Sequence, residues 1–94
     1  MRSDQVIWKY EVKMEDTFVL ELPEGAVVLT VQTQGDKPYI WARLNPVMPK
    51  TERRFAVYGT GHPNLAFNGR QDYIGTFQLM AFDLVFHLFE LVQE

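Results

Sequence analysis

The stretch Tyr58-Gly59-Thr60-Gly61-His62-Pro63 concentrates most of the groups that could do chemistry. Its two glycines permit positive φ and a sharp turn. The amides of Gly59, Thr60 and Gly61 and the Thr60 hydroxyl can therefore converge on an anion as a backbone nest. The glycine spacing is too short for a dinucleotide fingerprint or a phosphate loop, both of which also need a following helix. His62 adds one titratable ring, which would serve as a general base if Thr60 or Asp72 stood beside it. His87, the other of the 2 histidines, falls in an apolar run, where a core imidazole hydrogen-bonded to a neighbour is expected. A zinc site would need further ligands that no spacing supplies, so neither metal nor cofactor is expected.

Arg43, Arg53, Arg54 and Arg70 are the cations able to fork onto an anionic ligand. Arg43 and Arg54 fall on strand-patterned segments near the aromatic set Tyr39, Trp41 and Tyr58. Guanidinium and aromatic groups together can hold a phosphate and stack a base. The candidate ligand-binding set is accordingly Trp41, Arg43, Arg54, Tyr58, Gly59, Thr60, Gly61 and His62, with no catalytic set assigned.

The elements that must position these groups read as strands. Val6, Trp8, Tyr10 and Val12 alternate with Lys9, Glu11 and Lys13, with Ile7 an apolar exception on the polar side. After a turn at Met14–Asp16, Phe18, Leu20 and Leu22 form the next inward set. Pro23-Glu24-Gly25 reverses the chain. A third strand from Ala26 to Gln34 is expected to place Val27, Leu29 and Val31 on one side and Val28, Thr30 and Gln32 on the other. Gly35-Asp36 signals a hairpin into Tyr39–Asn45, where Ile40, Ala42 and Leu44 oppose Tyr39, Trp41 and Arg43. Pro46 and Pro49 mark a loop, since neither can donate to a ladder.

Thr51–Tyr58 resumes extended structure, and an irregular segment follows through Asn64 and Gly69 to Gln71. Loops of such length are often functional. In the sixth strand, Asp72–Met80, Tyr73, Gly75, Phe77 and Leu79 are expected to share one face. A hairpin at Met80–Asp83 leads to Leu84–Val92, apolar on both sides as a doubly covered strand would be. About seven strands with turns every eight to twelve residues predict an all-β fold, a small antiparallel sandwich or barrel, as one domain over residues 5–92.

Composition sets the outer bounds. A chain of 94 residues buries only about 60–65% of its unfolded surface, so its core must be efficient. Apolar residues at 47% and aromatics at 14% exclude disorder. A net charge of −3 disfavours long nucleic acid, although a small anionic, nucleotide-like ligand remains compatible with it. With 0 cysteines there is neither disulfide nor thiolate metal site, as suits a reducing cytoplasm. No apolar run approaches the ~18 residues of a membrane span, and no signal-peptide core is seen, so a cytoplasmic protein without a membrane partner is expected. Strands apolar on both faces, carrying Tyr39 and Trp41 or Val85 and Phe89 away from the core, predict a homo-oligomer.

Four strings, VIWKY (6–10), YGTGHP (58–63), YIGTFQL (73–79) and LVFHLFE (84–90), resemble a family of small phage- and prophage-encoded proteins catalogued as a domain of unknown function. The likeness covers nearly the whole chain. It departs at the last hairpin, where Met80-Ala81-Phe82-Asp83 stands in place of glycines. The resemblance implies phage origin and size but transfers no catalytic residue. Together these features predict a non-enzymatic protein that binds and inhibits or sequesters a host factor through an oligomeric scaffold, in the host cytoplasm. A sponge for a nucleotide signal is the alternative, and a small hydrolase using His62 a third.

Overall fold

The computed structural model describes residues 4–93. Among them lie seven strands: β1 (Val6–Glu11), β2 (Thr17–Pro23), β3 (Val27–Gln34), β4 (Lys37–Leu44), β5 (Lys50–Gly59), β6 (Arg70–Leu79) and β7 (Leu84–Val92). A single 3₁₀ turn, Met80–Phe82, joins the last two. The strands form a three-stranded sheet in the order β1-β4-β3 and a four-stranded sheet in the order β2-β5-β7-β6, every pairing antiparallel. The expected sandwich is what the chain forms. No helix among the described residues is long and apolar enough to cross a membrane.

The alternation in the sequence decides which side chains enter the core. Phe18 and Leu22 from β2, Ile40, Ala42 and Leu44 from β4, Phe55 and Val57 from β5, Phe77 and Leu79 from β6 and Leu88 from β7 meet in one buried cluster. Phe18 and Phe55 stack at 5.3 Å between ring centroids, and Phe77 and Phe86 at 5.7 Å. Their partners in alternation, Trp41, Arg43, Arg54 and Tyr58 among them, therefore point away from the seam.

Two bulges correct the expected faces. Between Val28 and Thr30 the register of β3 shifts, so Val28 lies opposite Ala42 and Val31 opposite Ile40, while Val27 lies opposite Arg43. Val28 and Val31 thus face inward together, and Val27 does not share their side. In β6 the shift falls between Tyr73 and Gly75. Tyr73 pairs with Phe89 on the outer face, whereas Gly75 pairs with Leu88 and faces the core. An inserted residue breaks the period of two, which no alternation in one strand reveals. Gly75 also marks a close approach of the sheets: a Cβ there would lie 2.8 Å from Val31 Cγ1.

A second, smaller cluster sits on the outer face of the four-stranded sheet. Ala56, Tyr58 and Leu91 are buried there beneath Phe67 and Phe89. The irregular segment before β6 folds back to place Phe67, so this chain shields part of a face that alternation leaves open.

Candidate functional site

Strand β2 starts at Thr17, opposite Ala56 of β5, so Val57–Gly59 run on past the end of their neighbour. The turn before β2 bends over this overhang, and Val57 donates its N–H to the carbonyl of Asp16 at 3.1 Å. A cleft of about 470 Å³ results. Met14, Glu15, Asp16 and Thr17 form one wall, Val57, Tyr58, Gly59 and Phe86 the floor, and His62, Pro63 and Leu65 the other wall.

His62 owes its place to Gly59. The His62 amide donates to the Gly59 carbonyl at 3.1 Å, closing a turn, and Gly61 takes φ +86°, a region that disfavours a side chain. A Cβ on Gly59 would come within 2.9 Å of His62 Nδ1, so glycine is what lets the ring lie back against the strand. The cleft carries two carboxylates and this one imidazole, and neither lysine nor arginine lines it. Its electrostatics suit a neutral or cationic group better than a phosphate.

Beside the cleft, on the outer face, a chain of hydroxyls runs through His87. Thr60 Oγ1 lies 2.8 Å from His87 Nε2, Thr76 Oγ1 lies 2.9 Å from Nδ1, and Tyr73 OH lies 2.6 Å from Thr76 Oγ1. A hydroxyl can donate or accept, but Thr60 Oγ1 also donates to the Val85 carbonyl at 3.3 Å, and while its one proton is there it accepts from His87 Nε2. Next to it Tyr58 packs against Phe89 at 5.6 Å and donates its hydroxyl to Gln71 Oε1 at 2.6 Å. Gln71 Nε2 in turn donates to the Leu65 carbonyl at 3.1 Å, fastening the loop.

The structure divides the expected ligand set. Tyr58, Gly59 and His62 line the cleft, with Thr60 and Gly61 in the turn that closes it. Arg54 is on the outer face of the four-stranded sheet, opposite Val19 and Leu91. Trp41 and Arg43 are on the outer face of β4, on the far side of the sandwich. Trp41 and Arg43 therefore do not meet the Tyr58–His62 turn. Of the remaining arginines weighed as anion-binding candidates, Arg53 pairs with Glu90 and Arg70 with Asp72.

Thr60 and Asp72, the groups His62 would need beside it to act as a base, are bonded to other partners. The partner of Thr60 is His87, not His62, and the carboxylate of Asp72 accepts from Arg70 Nε at 2.7 Å. His87 is hydrogen-bonded as expected, but on the outer face of β7 rather than in the core. The Met14–Asp16 wall was hidden in the sequence because a turn with two acidic residues carries no signal of what it will cover.

Trp41 lies in a separate aromatic group. The Lys9 ammonium sits 4.4 Å from the Tyr39 ring centroid and 5.8 Å from that of Trp41, within range of attraction to the ring faces. The indole Nε1 is buried and finds no hydrogen-bond partner among the described residues.

Fold and site together define an all-β sandwich with an acidic cleft at one end and a hydroxyl–imidazole relay alongside. Over residues 3–94 the chain matches the family described as Domain of unknown function (DUF7352), and it belongs to that family. No curated protein and no solved structure matches it.

Proposed function

We propose that the chain is a binding protein, not a catalyst: a self-associating β scaffold, phage-encoded as its resemblance implies, that inhibits or sequesters a host component. The observation that carries this reading is β1. Val6, Ile7 and Trp8 are 40%, 59% and 45% exposed, on an edge strand that covers little of its apolar surface. Val6 and Trp8 lie on one face of this strand and Ile7 on the other, so the edge exposes apolar groups on both sides, as a strand covered by something else would. Light scattering after size exclusion at micromolar concentration is expected to give at least twice the 11.0 kDa chain mass. A strict monomer would remove the self-associating half of the reading.

The cleft supports a second reading, capture of a small molecule. A nucleotide-like ligand placed at Tyr58–His62 would present its base to Tyr58 and Phe86, because Glu15 and Asp16 repel its phosphate. Nucleosides and aromatic amines are thus expected to raise the melting temperature more than the corresponding nucleotides. A ligand at a hundred times its Kd adds about 2.7 kcal/mol of stability. The order reversed, or no shift with any of the three classes, would count against this use of the cleft.

A further inference from the structure

We infer that two copies of the chain join through β1, pairing edge to edge about a twofold axis that passes beside Trp8 and merging their three-stranded sheets into one of six strands. This rests on the self-association proposed above and specifies its interface.

Among the described residues, β1 is the one of the four sheet edges with neither proline, bulge nor flanking strand. The β3 edge is flanked by β6, whose Gly75 comes up against Val31. β2 ends on Pro23, which has no N–H to offer, and carries Glu21 midway. β6 has a bulge at Ile74 and a surface ion pair between Arg70 and Asp72. In β1 the register with β4 runs unbroken from Val6 to Glu11, and the strand contains no proline. Its charged residues are Lys9 and, at the end of the strand, Glu11; the lysine, which would ordinarily deter pairing, is drawn across the outer face. Lys9 Nζ donates to Gln34 Oε1 and rests over Tyr39.

The hydrogen-bond phase of the free edge follows from a single contact. Val12 donates its N–H to the carbonyl of Pro38 at 3.0 Å, in line with the β1–β4 register. Opposed residues that exchange bonds alternate with those that do not. The backbone groups of Val6, Trp8 and Tyr10 are thus directed at β4, and those of Ile7, Lys9 and Glu11 at the open side. A second β1 can pair antiparallel only by matching Ile7, Lys9 and Glu11 among themselves.

Two such registers sit near the middle of the strand. One sets Lys9 against Lys9, like charges directly opposed, which is destabilising. The other sets Ile7 against Lys9, Val6 against Tyr10 and Trp8 against its own copy. In it Val6 to Tyr10 pair with the same residues of the second copy, and Trp8 and Val6, exposed in the single chain, gain aromatic and apolar partners on the same face. That self-complementarity identifies the occupant as a second copy.

The absence of cysteine makes the register directly testable. Opposed residues of a non-hydrogen-bonded pair lie about 4.5 Å apart at Cα, within reach of a disulfide. Under mild oxidation Trp8→Cys is expected to form a covalent dimer in high yield, and Lys9→Cys little. A second pair of variants bears on the edge itself. Ile7→Pro removes an outward N–H and is expected to abolish the dimer while the fold, read by circular dichroism, persists. Lys13→Pro, beyond the strand, is expected to leave it dimeric. A dimer that survives Ile7→Pro, or that crosslinks through Lys9→Cys and not Trp8→Cys, would overturn this interface while leaving self-association standing. A monomeric parent chain would overturn both.

Discussion

Phe55→Ala is expected to cost about 3–5 kcal/mol of folding stability, the largest loss from any single side chain here. Phe55 is fully buried on β5, which is hydrogen-bonded to β2 on one side and β7 on the other, and its ring stacks on Phe18. Truncation leaves a void that neither neighbouring strand can close without giving up its ladder. Small domains have about 5–15 kcal/mol in total, so the variant would be poised near unfolding at physiological temperature. Urea melts monitored by tryptophan fluorescence would read the loss as a lower midpoint at unchanged slope. Val19→Ala, on the outer face of the adjoining strand, is expected to stay within about 0.5 kcal/mol. Equal effects at the two positions would mean that β5 is not the middle of the core.

That contrast was legible beforehand, because alternation assigns Phe55 and Val57 to one side and Arg54, Ala56 and Tyr58 to the other. The seven strands, the turns at Gly25 and Gly35 and the hairpin at Met80–Asp83 were equally open to reading, since φ of +82° and +59° at the two glycines is what those residue types permit. What alternation omits is the partition of strands between sheets. Pairing of β2 with β5 and of β1 with β4 rests on contacts far apart in the chain, and a period of two is silent about them. Trp41 and Arg43 therefore looked like companions of Arg54 and Tyr58, yet the fold sends them to opposite outer faces. The bulge at Leu29 hid the inward companions of Val28, and the one at Ile74 the companions of His87. Tyr73 and Thr76 are an odd and an even position, and only the extra residue between them brings both hydroxyls to one side.

The end cleft shows the complementary case. Its glycine turn announced itself through residue type, and Gly59, Gly61 and His62 do shape it. The acidic wall opposite comes from a segment more than forty residues earlier. An anion-binding nest read from Gly59–Gly61 alone therefore takes on a different electrostatic meaning once Glu15 and Asp16 face it.

Arg53 was a candidate for holding an anionic ligand; its expected behaviour on mutation is that of a structural tie. Its Nε and Nη2 bond the two carboxylate oxygens of Glu90 at 2.7 and 2.8 Å, and Nη1 donates to the Ala26 carbonyl at 2.6 Å. The guanidinium thereby links β5, β7 and the turn into β3, so it spans both sheets. The hydrogen bond with Glu90 raises the Arg53 pKa above its ordinary value although burial opposes it, and the charge persists throughout any accessible pH range. The two side chains are only 21% and 14% exposed, so a lost partner is incompletely replaced by water. Arg53→Met is expected to cost about 2–4 kcal/mol, chiefly because the Glu90 carboxyl group loses both of its guanidinium donors. Glu90→Leu alone is expected to hurt by a similar mechanism, since it strands the guanidinium. Arg53→Met/Glu90→Leu together should recover most of the loss, because two apolar side chains of similar length fill the space and leave only the Ala26 carbonyl to find water. A double-mutant cycle in urea would thus show strong coupling, well above 1 kcal/mol. Additive losses would mean that the pair is as wet as an ordinary surface bridge, and that the sheets are held by apolar packing alone.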